Sequence, residues 1–258
     1  MCYNIQLLAA RIKKSGKRKN KTDEEIAQAM EMIKKQWEGK PMFSLYGFDF
    51  PALPIITYTN RVEILEAHWG LIPHWCQEIA QQDMLRNQTL NARIESLEEK
   101  PSFRKALDRH RCLIPVTGYY EFKHFGKRAI PHFLYPRDGE TMWMAGLYDE
   151  APRGLKNIRT CSIVTTKANQ MAASIHNQAK SDGPRMPLIL DFETAETWLQ
   201  GSPAEAMALG KGIHTPEDYL SAHMVKPLRG QQSPGNAEEA SAPFVYKDLL
   251  IQGDLFGD

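Results

Sequence analysis

Short apolar runs, broken at close intervals by Pro, Gly, Asn or charged residues, dominate this chain. Runs of this kind, rich in β-branched and aromatic residues, predict strands. They fall at Ile5–Ile12, Phe43–Phe48, Pro54–Thr59, Val62–Trp69, Arg111–Val116, Tyr119–Lys123, Ala129–Tyr135, Thr141–Tyr148, Thr160–Thr166 and Pro187–Leu190. A helical period stands out once: Ile26, Met30, Ile33 and Trp37 recur at i, i+4, i+7 and i+11, behind the capping-box pair Thr22 and Glu25 and ahead of a stop at Gly39. Shorter helices are predicted at Phe103–Arg109, Gln170–Ser174, Phe192–Leu199 and Pro203–Leu209. Irregularly spaced strands with few long helices read as α+β, not as a doubly wound sheet. Ser233–Pro243 (SPGNAEEASAP) has linker composition, which divides the chain into a domain over 1–230 and a linker with a C-terminal tail over 231–258.

Composition narrows the class. At 258 residues the chain is long enough to bury a full core. Its 32 Lys and Arg against 31 Asp and Glu leave no global field to attract nucleic acid, so any anion binding must be local. One local candidate is the basic run Arg11–Lys21, whose ordinary alternative is a solvated loop. Cys2, Cys76, Cys112 and Cys161 lie far apart, against both a zinc site and a disulfide framework. Without a signal-like or membrane-length apolar stretch, a soluble, cytoplasmic, monomeric protein without cofactor is expected.

Candidate chemistry begins at residue 2. Removal of Met1 would give Cys2 an α-amine, with a reference pKa of about 7.7–8.0, beside a nucleophilic thiol, and such a 1,2-aminothiol traps aldehydes as a thiazolidine. Four further segments concentrate polar groups in strand-like or turn-like sequence. In His68–Trp75 (HWGLIPHW), Trp69 and Trp75 can stack on bases or serve as core, with Trp69 favouring core and Trp75 the surface. Asn91-Ala92-Arg93 offers an amide and a guanidinium suited to phosphate, the alternative being a surface ion pair between Arg93 and Glu95. Glu121 sits beside two aromatics in Gly118–Phe122 (GYYEF), where desolvation suits a proton-transfer role unless alternation points it outward. His176 follows a short helix as a candidate acid or base and precedes Arg185-Met186-Pro187.

Taken in order, Met-Cys, W-G-L-I-P-H-W, N-A-R, G-Y-Y-E-F, and I-H-N followed by R-M-P, the chain resembles the SOS-response-associated peptidase (SRAP) family over roughly residues 1–191. The resemblance implies a single domain with a mainly antiparallel, barrel-like β core and short flanking helices. It also implies covalent trapping of abasic sites in single-stranded DNA through Cys2, with strand-cleaving lyase activity as a side reaction. Cys2, Asn91, Glu121 and His176 then form the reactive set, and Arg93, Trp69, Trp75 and Arg185 the DNA contacts. Two departures accompany it. Family members commonly read Met-Cys-Gly-Arg where this chain has Tyr3-Asn4, and Gln178–Pro184 is inserted between the I-H and R-M-P motifs, where it would shift His176 or cover the groove.

The alternative from another class is an N-terminal-nucleophile cysteine hydrolase or peptidase using Cys2, His176 and Glu121. In the tail, Gln252, Leu255 and Phe256 resemble a bacterial sliding-clamp-binding pentapeptide, the alternative being that the tail packs back on the domain.

Overall fold

The computed structural model describes residues 2–7, 28, 31–33, 35, 42–59, 62–178 and 183–251. Its strands are, in chain order, β1 (Asn4–Gln6), β2 (Leu45–Tyr46), β3 (Ala52–Tyr58), β4 (Val62–Trp69), β5 (Asn91–Arg93), β6 (Arg111–Val116), β7 (Gly118–Phe125), β8 (Arg128–Pro136), β9 (Met142–Arg153), β10 (Lys156–Lys167), β11 (Arg185–Pro187), β12 (Ile189–Leu190) and β13 (Leu220–Met224). Pairing β10-β4-β3-β6-β9 and back to β10 closes a five-stranded barrel that is antiparallel except at the β4–β10 seam. A second sheet runs β13-β8-β7-β1-β2. The α+β class with a barrel-like core is therefore what the chain adopts.

Alternation explains the barrel. Leu53, Ile55, Cys112, Ile114, Leu147, Cys161 and Ile163 are all inaccessible to solvent and belong to one core cluster. Helix Phe192–Gln200 presses the enclosed Trp198 against the barrel, and its indole N–H donates to Cys112 O at 3.1 Å and Gly146 O at 3.3 Å. Capping boxes at Asp191/Thr194 and Ser202/Glu205 start this helix and the next, Pro203–Gly212.

Most predicted elements form, with longer hairpin strands than their apolar runs suggested. Of the predicted helix after the basic run, residues 28, 31–33 and 35 are helical and Ile33 is buried; its cap, its stop and the basic run itself lie outside the described residues. Helix Ile79–Gln88 had no sequence prediction because its inward residues are Gln82 and Arg86, not an apolar stripe. Gln82 donates to Cys76 O and Pro152 O, and Arg86 stacks over the Phe50 ring.

The linker reading of Ser233–Pro243 is corrected. Asn236 Oδ1 accepts from Phe43 N at 2.8 Å and Ser44 N at 2.9 Å, Ala240 is buried with Tyr120 and Phe133, and Val225 bridges to Pro243. Beyond it, Tyr246 and Leu249 pack with Ile130, and the Tyr246 hydroxyl donates to Val225 O. Residues 233–249 thus strap across the second sheet. Gln252, Leu255 and Phe256 lie outside the described residues. Among those residues no helix is long and apolar enough to cross a membrane.

Gly118 marks the crossover where β6 leaves the barrel and β7 enters the second sheet. A Cβ there would lie 2.2 Å from the Phe133 ring and 2.8 Å from Leu134 O. Gly118→Ala is therefore expected to lower stability by about 1–3 kcal/mol, read as a lower urea midpoint with unchanged slope; a midpoint equal to wild type would contradict this packing.

Candidate functional site

Two sheets meet at residue 2. Strand β1 lies between β7 and β2, with Ile5 opposite Tyr119 and Asn4 opposite both Tyr120 and Tyr46. This pairing brings Cys2 to the mouth of the barrel, where it is fully enclosed. Asn91, from β5 on the other sheet, donates through Nδ2 to Cys2 O at 2.8 Å. Its buried Oδ1 has no hydrogen-bond partner among the described residues. The Cys2 thiol donates to Asn4 O at 3.7 Å.

Glu121 occupies the β7 position two residues beyond Tyr119 and, at 7% exposure, is turned inward. Its Oε1 accepts from Phe122 N at 3.1 Å, and its Oε2 lies 3.8 Å from His176 Nδ1. Burial, reinforced by the Glu121 carboxylate, pushes the Cys2 thiol well above its usual range. Tyr3 is raised by burial, Glu121 and Cys2 against an opposing pull from Arg93. Cys2, Tyr3 and Glu121 therefore lie within one another's electrostatic reach, with Arg93 acting on Tyr3 and His176 beside Glu121. The structure brings together all four residues of the expected reactive set.

His176 terminates helix Gln170–Ile175, started by Asn169, whose side chain accepts from Ala172 N. Its Nδ1 lies 3.3 Å from the Arg185 N–H and 3.2 Å from the Arg185 carbonyl, so either neutral tautomer finds a backbone partner. The inserted segment leaves and re-enters the fold at this point, and its residues 179–182 lie outside the described residues.

Two of the expected DNA contacts are corrected. Trp69 is fully buried, with its indole N–H donating to Leu90 O at 2.8 Å, so its ring is core and not a stacking surface. Arg185 is 5% exposed and internally satisfied: Nη1 and Nη2 meet Glu95 Oε1 and Oε2 at 3.2 and 2.7 Å, Nη2 donates to Thr165 O, and Nε to Thr165 Oγ1. Four of its five N–H donors are thus engaged inside the fold, and the group is turned away from solvent. Partial burial raises the Glu95 carboxyl, but the Arg185 hydrogen bonds outweigh it and hold the group below its usual value. Arg93 is half-buried and Trp75 remains 42% exposed, on the turn that follows Gly70 with its φ of 98°.

One cluster at that turn has no counterpart in the sequence reading. Asp149, almost fully buried, receives the His74 backbone N–H and Nδ1, both at 2.9 Å, and the Glu150 N–H, and lies 3.4 Å from His110 Nδ1. Burial opposes the charge, yet these donors bring its pKa down to about 2. Residues far apart in sequence meet here only through the barrel, which left no local motif to find.

The chain belongs to the SOS response associated peptidase (SRAP) family, whose model matches residues 10–230. It is 37% identical over 150 residues to the abasic site processing protein YoqW of Bacillus subtilis, a match spanning 57% of this chain and 62% of that one. It is 30% identical over 184 residues to the abasic site processing protein HMCES of Gallus gallus, covering 63% of this chain and 52% of the relative. A crystal structure of a Bacteroides thetaiotaomicron protein superposes with a TM-score of 0.76 at 30% identity, covering 95% of this chain and 100% of the other.

Because the folded pKa of Asp149 lies below its ordinary 3.8, its pairing stabilises the fold at neutral pH and that stabilisation is lost as pH falls from about 4 to about 2. Asp149→Asn should accordingly be less stable than wild type at pH 7, by on the order of 2 kcal/mol, with the gap closing towards pH 2. Urea unfolding across that range measures it, and a pH-independent gap would contradict the assignment.

Proposed function

We propose that this protein processes abasic sites in DNA by covalent capture, with Cys2 as the reacting residue. The observation that supports the reading best is the convergence on residue 2: Asn91 fixes its carbonyl at 2.8 Å, while Glu121, itself 3.8 Å from His176, acts on its thiol. The family and the relatives named for abasic site processing support the same substrate.

Loss of Met1 makes the residue-2 nitrogen a primary amine, and Asn91, whose amide already donates to the residue-2 carbonyl, is assigned to accept a hydrogen from it through Oδ1. His176 is assigned to moving the proton that opens the sugar hemiacetal to its aldehyde. The amine adds to that carbonyl, water leaves as the iminium forms, and Glu121 accepts the thiol proton. Sulfur then bonds to the same carbon, and nitrogen keeps one hydrogen as the ring closes. The product is a thiazolidine whose mass equals the two partners less one water. Slow elimination from the iminium is the route to strand cleavage as a side activity.

Incubation with a single-stranded oligonucleotide carrying one abasic site, followed by denaturing electrophoresis and intact mass, is the test. Wild type is expected to give the adduct. Cys2→Ser, which keeps the amine and lacks the sulfur, is expected to give only a hydrolysable species trapped by borohydride. Absence of the wild-type adduct, or its undiminished formation by Cys2→Ala, overturns the reading. A peptide panel cleaved by wild type and not by Cys2→Ser would favour the hydrolase instead.

For the DNA contact, the exposed Trp75 takes the stacking role alone. Trp75→Ala should weaken single-strand binding by about 1–3 kcal/mol with little change in stability, measured by fluorescence anisotropy at fixed salt. Equal affinities for the two proteins would remove Trp75 from the interface.

A further inference from the structure

Tyr119 lies near Cys2 and has no task in this chemistry. It is 1% exposed, faces the core from β7 on the same side as Glu121, and stands opposite Ile5 in the strand that follows Cys2. Its hydroxyl is buried without a hydrogen-bond partner among the described residues. A buried, unsatisfied hydroxyl destabilises a fold by about 1–3 kcal/mol, so a phenylalanine would serve the core better. Burial, then the nearby Cys2 and Glu121, hold the phenol well above its ordinary pKa. Tyr119 therefore stays an O–H donor throughout the working range.

The state of the sulfur explains the vacant bond. In this structure Cys2 Sγ donates to Asn4 O, and a thiol is only a weak acceptor. Once the proton leaves, sulfur becomes a strong acceptor in a buried setting, beside a carboxylate that disfavours its charge. We propose that the Tyr119 hydroxyl is a reserved hydrogen-bond donor that stabilises the Cys2 thiolate as it forms. No bond to Tyr119 is made or broken, and its proton stays on oxygen.

This inference rests on the abasic-site reading for its physiological setting, but the Cys2–Tyr119 coupling can be tested without DNA. Charged and titratable neighbours of the sulfur in both arms are Glu121, the N-terminal amine and Tyr3, with Arg93 acting on Tyr3 and His176 beyond Glu121. The experiment compares wild type with Tyr119→Phe. Native alkylation of Cys2 by iodoacetamide is followed by peptide mass spectrometry across pH, with Cys76, Cys112 and Cys161 as internal references, alongside the rate of adduct formation on abasic single-stranded DNA and the thermal melt. Tyr119→Phe is expected to melt at or above the wild-type temperature, to move the Cys2 alkylation profile up by about one pH unit, and to slow adduct formation by about tenfold. An unchanged profile overturns the proposal, as does a lower melting temperature, which would show that the hydroxyl is already bonded in the fold. If wild type forms no adduct while the profile still shifts, the abasic-site reading fails and the Tyr119 coupling stands.

Discussion

Strand β10 is the constraint on which the site depends. Its outer part pairs with β9 from Lys156 to Ile163, its middle runs parallel to β4 at Thr160 and Cys161, and its last residues are gripped by β5 on one side and β11 on the other. Cys161 stands opposite Trp69, Ile163 opposite Asn91, Thr165 opposite both Arg93 and Pro187, and Lys167 opposite Arg185. A slip of one residue along β10 would reverse the facing of each partner strand. One strand's register therefore sets which residues of the W-G-L-I-P, N-A-R and R-M-P segments enter the core and which reach the mouth.

The second sheet carries Cys2 and Glu121, and side chains from the barrel side reach across to both. Cys2 precedes β1 and Glu121 lies on its neighbour β7, while Asn91 crosses from the barrel to hold the backbone at residue 2 and His176 approaches Glu121. Enclosure here has an electrostatic consequence. Desolvation and Glu121 both favour the neutral thiol, so the enclosed sulfur is protected from casual reaction. Wholesale exposure would give faster thiolate formation and less discrimination among electrophiles.

Much of the barrel was legible because its strands are short apolar, β-branched-rich runs bounded by punctuating residues. Val62–Trp69 and Arg111–Val116 were bounded as they form. Sequence failed where polar residues face inward. Gln82 and Arg86 carry the packing of helix Ile79–Gln88, and residues 233–249 look like a linker yet are fixed by backbone bonds to Asn236 and by Ala240 and Tyr246. The expected reactive residues could be read as a set because their motifs occur in order. Individual environments were less accessible: Trp69 and Trp75 share one motif, and the fold encloses the first indole and exposes the second. Likewise Glu95 was offered its neighbour Arg93 as one possible partner, and β11 also delivers Arg185 to it across the sheet.

That last ion pair also bears on the inserted segment. Its two ends are tied where it departs and where it returns: both backbone groups of Arg185 meet the His176 ring, Ala168 N donates to Pro184 O, and Lys167 pairs with Arg185. Arg185 is in turn locked to Glu95 and Thr165. With its base closed, added length costs little, since loop entropy grows only slowly with residue number. His176 keeps its place beside Glu121 despite the extra residues, because what fixes it is the strand that follows the insertion and not the insertion itself. A buried arginine that was expected to hold DNA instead anchors the strand that follows the inserted segment, beside His176 and Glu121.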